Sequence, residues 1–176
     1  MSLAGKVAVV TASTRGIGLA IAKQLAARSA EVLVSSRKEE NVKEAVDHLR
    51  SIGLANVHGI AAHVANRDDR KSLMEEATRV YGRPASILVS NAAVCPHYGD
   101  MLSISESEWD KTMETNVKAA MFLVKEFMST LQAEYDVQKL EEIEPRIILV
   151  SSVLGVRPFK DLGAYCVSKT ALHGLA

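Results

Sequence analysis

Cysteine is scarce, net charge is absent and no apolar run is long. The 176 residues hold two cysteines, Cys95 and Cys166, far apart and outside any C-x-x-C spacing. This excludes a disulfide framework and a cysteine-clustered metal site, and both read as reduced thiols in a reducing compartment. Lys plus Arg equals Asp plus Glu at 21 each, so the formal net charge is zero. Such a balance leaves no polybasic footprint for nucleic acid or an anionic membrane surface. No apolar stretch approaches the ~18 residues needed to cross a bilayer. Met1 to Lys6 carry no isolated apolar segment of the signal-peptide kind. Internal repeats, low-complexity tracts and a clear linker are missing too, which implies one domain over residues 1–176.

What is present is an alternation. Short Val/Ile-rich runs recur at Val7–Thr11, Glu31–Ser35, Val57–Ala62, Ile87–Ser90 and Arg146–Ser151. Nearly continuous apolar runs of that length suit strands covered on both faces. Between them lie helical periodicities. Ile17, Ile21, Leu25 and Arg28 mark the first, and Val42, Val46, Leu49 and Ile52 the second. Leu73, Ala77, Val80 and Tyr81 mark the third. The fourth and longest carries Trp109, Met113, Val117, Ala120, Val124, Phe127 and Leu131. A fifth begins near Gly163, and the acidic stretch Glu134 to Glu144 reads as a solvated extension. Strand alternating with helix predicts an α/β fold, a Rossmann-type doubly wound parallel sheet with helices on both faces.

Two features carry chemistry. The first strand runs into Thr11-Ala12-Ser13-Thr14-Arg15-Gly16-Ile17-Gly18, a glycine-rich turn opening a helix. Glycines let backbone N–H groups approach a pyrophosphate, and the helix N-terminus favours negative charge. The second feature is Tyr165 with Lys169 one helical turn on, and Ser152 upstream after the fifth strand. Reducing a carbonyl requires a proton donor and a group to hold the developing oxyanion. Tyr165 fits the first role, Ser152 the second, and the Lys169 charge on the same helix face favours the phenolate form. Such pairs arise by chance in isolation; their order along a strand–helix repeat points to nucleotide-dependent carbonyl or alcohol redox chemistry. His97 and His173 lack metal-ligand spacing, so no metal is assigned.

Thr11-x-x-x-x-Gly16-x-Gly18, Ser90-Asn91-Ala92-Ala93, Asn116, Ser152 and Tyr165-Cys166-Val167-Ser168-Lys169 together resemble the short-chain dehydrogenase/reductase family over essentially the whole chain. Ala12 stands where the T-G-x-x-x-G-x-G pattern has its first glycine, and alanine suits that turn only if the position does not need a positive φ. The resemblance implies cofactor contacts from Thr11, Ser13, Arg15, Gly16, Ile17, Gly18, Ser36, Arg37, His63, Val64, Asn91, Ala92, Ala93, Tyr165 and Lys169. It implies that Asn116 anchors a water in a proton relay and that Lys169 also binds ribose hydroxyls. Val34 to Lys38, Ser90 to Val94 and Val167 to Leu172 look closest to a branch of NADP-dependent carbonyl reductases that also act on retinal and retinol.

The cofactor choice follows from residues as well. An acidic side chain at the end of strand two would bind the ribose 2′-hydroxyl of NAD. Here Ser36 is followed by Arg37 and Lys38, which suit a 2′-phosphate, and Arg15 in the turn can approach it. NADP(H) is the expectation. Members of the family often carry Asp after strand three near the adenine, where His63 stands; it would serve similarly or be a plain rim histidine. Val94 to Tyr98 with Leu154, Val156, Phe159 and Leu162 suggest a largely apolar cleft for a hydrophobic ketone or aldehyde.

Family members have two further strands, so the chain is expected to lack them and to be incomplete at its C-terminus. A homo-oligomer is implied for the complete enzyme, in the cytoplasm or the peroxisome, with no signal peptide. Two alternatives stand beside the reductase. One is a truncated, inactive fragment that binds nucleotide or a partner. The other is a sugar-nucleotide epimerase, whose G-x-x-G-x-x-G spacing Gly16 and Gly18 do not fit.

Overall fold

The computed structural model describes residues 2–176. Five parallel strands form one sheet: β1 (Val7–Val10), β2 (Glu31–Ser36), β3 (Val57–Ala61), β4 (Ile87–Ser90) and β5 (Arg146–Leu149), in the order β3-β2-β1-β4-β5. All four pairings are parallel, as in Val10 opposite Val34 and Val9 opposite Leu88. The strand order reverses direction between β1 and β4. Their carboxyl ends therefore part into a crevice, where doubly wound sheets take their ligands. The sheet expected from sequence is in place, though Thr11, Ala62 and Val150–Ser151 lie just past its strands, in the turns leading to the crevice.

Alternation along each strand divides the core in two. Val7, Val9, Leu33 and Leu88 face one side, packed with Leu73 and Ala77 of α3 (Arg67–Tyr81) and with Leu123, Phe127 and Leu131 of α5 (Ala119–Glu134). Ala8, Val10, Val32, Val34 and Val89 face the other, under Ala22 and Ala26 of α1 (Gly16–Ala26) and Val42, Val46 and Leu49 of α2 (Glu39–Ser51). Asn66 caps α3, its side chain accepting from the Asp68 and Asp69 amides, and Gly82 ends it at φ 70°.

Three helical expectations are corrected. In α1 the buried stripe is Gly18, Ala22 and Ala26, whereas Ile17 is 66% exposed and Arg28 lies beyond the helix. The small residues face the sheet because they let the helix sit close to it. Ile52 is likewise exposed, at the end of α2. The long fourth periodicity is not one helix. α4 (Glu106–Met113) passes through a π-helical segment, Glu114–Lys118, into α5. The acidic stretch is solvated as expected, and part of it is helical. Asp136 caps a short α6 (Val137–Ile143), its carboxylate accepting from the Lys139 amide at 2.8 Å.

Candidate active site

The turn after β1 is braced from within. The Thr11 hydroxyl accepts from the amides of Asn91 and Ala92 at 3.0 and 3.1 Å. Ser13 donates its hydroxyl to the Val10 carbonyl at 2.6 Å and accepts the Ser35 amide at 2.9 Å; its own amide bonds the Ser35 carbonyl. Asn91 spans the crevice, its carboxamide donating to the Thr11 and Ala12 carbonyls at 3.0 and 3.1 Å. The polar side chains of Thr11, Ser13 and Asn91 thus hold β1, β2 and the β4 loop together at the mouth of the crevice. A Cβ on Gly18 would lie 2.5 Å from the Ala12 carbonyl oxygen and 2.6 Å from the Asn91 amide, so only glycine fits there.

Ala12 adopts φ 49°, so the turn forms even though this position does need a positive φ. An L-residue with a Cβ is strained there. Ala12→Gly is expected to raise stability by about 0.5–1 kcal/mol after the extra chain entropy of glycine is subtracted, a melting point roughly 2–4 °C higher. A thermal melt that is unchanged or lower would show that the turn carries no strain at Ala12.

At the start of α1 the amides of Gly16, Ile17 and Gly18 precede the first intrahelical bond, from Leu19 N–H to the Arg15 carbonyl. Arg15, at the N-cap, offers no side-chain cap. These uncapped donors at the positive end of the helix, behind a cradle that a Cβ on Gly18 would fill, fit a pyrophosphate. Arg15 reaches toward α2, its Nη2 donating to Asn41 Oδ1 at 3.1 Å. Beyond the turn lies a cavity of about 280 Å³ walled by Ala12, Ser36, Arg37, His63, Val64 and Ala93, with Lys111 and Thr115 from the α4 side. Arg37 is exposed and Ser36 half-buried at the end of β2. The acid in the cavity wall, Glu114, is paired with Lys118 at 2.9 Å.

The other end of the crevice gathers the reactive candidates. Ser152 follows β5, and its Oγ accepts the Leu154 amide at 3.1 Å, capping the turn Val153–Gly155 while its hydroxyl hydrogen stays available. That turn packs on α7 (Gly163–Ala171): a Cβ on Gly155 would meet the Lys169 carbonyl oxygen at 2.8 Å, and Thr170 donates its hydroxyl to the Gly155 carbonyl at 2.9 Å. Tyr165 is half-buried on α7. Lys169 is buried, with its Nζ 5.7 Å from the centre of the Tyr165 ring and donating to the Val150 carbonyl at 2.7 Å. Desolvation pulls the Lys169 pKa below its ordinary value.

Asn116 lies within the π segment, 1% exposed. Its Oδ1 accepts the Val94 amide at 2.7 Å, and its Nδ2 donates to the Val94 carbonyl at 2.9 Å and the Ser168 hydroxyl at 3.0 Å. Both amide hydrogens are thus taken, so a relay water could be anchored only through an oxygen of Asn116. It is a clamp between the β4 loop and α7, and the π turn supplies the extra residue that aims it inward. Sequence reasoning missed the clamp's second partner, Ser168, and the Val150 carbonyl that receives the lysine. It also missed Asn41, Lys111 and Thr115. None carries a motif of its own.

The model of the family described as short chain dehydrogenase matches residues 6–176. The chain is 44% identical over 98% of its length to dehydrogenase/reductase SDR family member 4 of Oryctolagus cuniculus and to that of Homo sapiens. It spans only about three fifths of those relatives' length, 63% and 59%. A crystal structure of a short chain dehydrogenase/reductase from Burkholderia phymatum in complex with NAD superposes with a TM-score of 0.87 at 27% identity, covering 99% of this chain and 59% of that one.

Proposed function

The chain belongs to the short-chain dehydrogenase family, and on that premise we propose that it is an NADP(H)-dependent oxidoreductase acting on hydrophobic ketones or aldehydes, retinal among them, and on the matching alcohols. The observation that carries the reading is the buried Lys169 ammonium one turn from Tyr165, beside a turn that presents Ser152. Burying a cation is costly, and a buried lysine held beside a phenol in a crevice marks a functional-site candidate. Tyr165 gives its proton to the substrate oxygen in reduction and takes it back in oxidation. Ser152 donates a hydrogen bond to the same oxygen, and Asn116 fixes the β4 loop against α7 so that both keep their places. The nicotinamide, when bound, supplies or takes up the hydride.

Arg15 and Arg37 support a 2′-phosphate, and the cavity that Arg37 and Ser36 share with His63 and Val64 supports an adenosine half beside it. Exposed Tyr98, Val156 and Phe159 near the reactive end support an apolar substrate. Residues 1–176 read as one nucleotide-binding unit, which in the complete enzyme would assemble as a homo-oligomer in the cytoplasm or peroxisome. No helix among the described residues is long and apolar enough to cross a membrane.

One observation favours a second reading, a nucleotide-binding piece with no turnover of its own: β5 is an edge strand whose Ile147 and Ile148 are 39% and 48% exposed. A fluorescence titration of the 176-residue chain with NADPH and with NADH, followed by an aromatic ketone, tests both. Saturable binding that prefers NADPH, with oxidation when the ketone is added, is the expected result. Binding without oxidation supports the second reading, and binding of neither dinucleotide removes the nucleotide assignment.

A further inference from the structure

We propose that Cys95 and Cys166 form a modification site: a peroxide joins them in a disulfide that ties the loop after β4 to α7, next to Tyr165, and reversibly slows turnover. The bond depends on no reading of the function. Its effect on turnover rests on the reductase reading above.

Both cysteines are free, Cys95 exposed and Cys166 buried. The fold brings their segments together. Val94 is bonded through its amide and carbonyl to Asn116, whose Nδ2 also donates to Ser168 at 3.0 Å. Further along the same loop, the Gly99 amide donates to the Asp161 carbonyl at 2.9 Å. Met101 then packs on Gly163, where a Cβ would collide with its Sδ. The loop from Val94 to Gly99 is thus anchored at both ends on the segment Asp161–Ser168 and passes across it. Cys95 directly follows the first anchor, and Cys166 lies two residues from Ser168, where that anchor ends. The charge state agrees. Burial, and then the Cys166 thiol, push the Cys95 pKa up, and the second influence acts only at short range.

Each sulfur is used by a loop. Cys95 donates its S–H to the His97 carbonyl at 3.3 Å. Cys166 Sγ accepts the Phe159 amide at 3.5 Å and donates to the Phe159 carbonyl at 4.0 Å. Because its pKa is raised, Cys95 stays a thiol in ordinary conditions, so the pair closes only when a strong oxidant is present.

The Cys95 thiolate attacks one peroxide oxygen and the O–O bond breaks. A sulfenic acid forms on Cys95, and the departing hydroxide takes up the proton that the thiol released. The Cys166 sulfur then attacks the sulfenic sulfur. The S–S bond forms, and the sulfenic hydroxyl leaves as water with the Cys166 proton. Two electrons pass from the thiol pair to the peroxide, which ends as two waters.

A disulfide has no hydrogen to donate, so the bonds to the His97 and Phe159 carbonyls are lost. Those carbonyls belong to the loops that carry Tyr98 and Phe159, the exposed apolar residues at the reactive end. The tether also acts on the first turns of α7, where Tyr165 sits. The cavity of Ser36 and Arg37 contains neither cysteine, so dinucleotide affinity should hold.

Hydrogen peroxide is added to the folded 176-residue chain, remaining thiols are blocked, and peptides are mapped without reductant. The expected product is a Cys95–Cys166 link within one chain, formed at least about tenfold faster than in urea-unfolded chain because the fold holds the pair together, and reversed by dithiothreitol. In the complete protein, oxidation is expected to lower kcat/KM for an aromatic ketone by about ten- to a hundredfold, the cost of a small misplacement at the reacting groups, with the NADPH Kd kept within about twofold. Reduction should restore the rate, and Cys95→Ser should remove its sensitivity to peroxide. Links only between chains, a link formed no faster in the folded chain, or a Cys95 sulfinic acid without a link overturns the inference. A link that leaves turnover unchanged overturns its effect on the site. If the reduced protein does not turn over, the reductase reading falls and the peptide map alone decides the bond.

Discussion

Tyr165→Phe is expected to lower kcat/KM for carbonyl reduction in the complete protein by about two to four orders of magnitude, the range for a lost general acid, while leaving the Kd for NADPH unchanged within about twofold. The split follows from the geometry. The phenyl ring keeps its place on α7 and its face toward the Lys169 ammonium, 5.7 Å from the ring centre. Lys169 keeps its bond to the Val150 carbonyl and Ser152 its cap on Leu154, so only the transferable proton is removed. Steady-state rates paired with fluorescence titrations read both quantities. Retention of more than about a tenth of the activity would mean that another group delivers the proton.

In the proposed mechanism the lysine is what lets a tyrosine serve there. An ordinary phenol, with a pKa near 10, holds its proton at neutral pH, so it gives the proton up reluctantly and is rarely present as the phenolate base. A cation one turn away stabilises the phenolate left behind. Burial makes that cation harder to hold, which is the direction of the Lys169 shift, and also spares its field the screening of water. Charge and phenol share one helix face because their spacing is one turn, and the Asn116 clamp on Ser168 ties that face to the loop after β4.

The sheet was legible because its signal is physical and local. Val and Ile runs covered on both faces, such as Val7–Val10 and Val32–Val34, are what a buried parallel sheet requires. Helix faces were less legible. Counting large apolar residues put Ile17 and Ile52 inside, but a helix lying close to a sheet buries Gly18, Ala22 and Ala26 instead. The π segment had no visible sign, since one extra residue in a turn leaves composition and approximate period intact. In the site, identity was easier to read than orientation. A polar side chain near a glycine turn looks the same in sequence whether it meets a ligand or the backbone. Thr11, Ser13 and Asn91 meet the backbone, and the carboxamide of Asn116 does as well. His63 Nδ1 accepts from the Ala65 amide two residues on, a contact that only three dimensions disclose.

Arg37→Asp is expected to shift the ratio of NADPH to NADH affinity toward NADH by about ten- to a hundredfold. A guanidinium beside a 2′-phosphate contributes a charge-assisted bond, and a carboxylate there repels the phosphate and accepts from a bare 2′-hydroxyl, so the two losses and the one gain act in the same direction. Arg37 is exposed, so water and salt weaken each Coulomb contribution, which keeps the change below what two buried charges would give. Arg15 stays in place, held by Asn41 at 3.1 Å, and retains part of the phosphate affinity. The shift should therefore shrink as salt is raised, because exposed charges produce it, whereas a general loosening of the cavity would weaken both dinucleotides together and show no such dependence. Paired titrations at low and high ionic strength separate these outcomes. An unchanged ratio at both would remove Arg37 from phosphate recognition and leave Arg15 and the end of β2 to account for any preference.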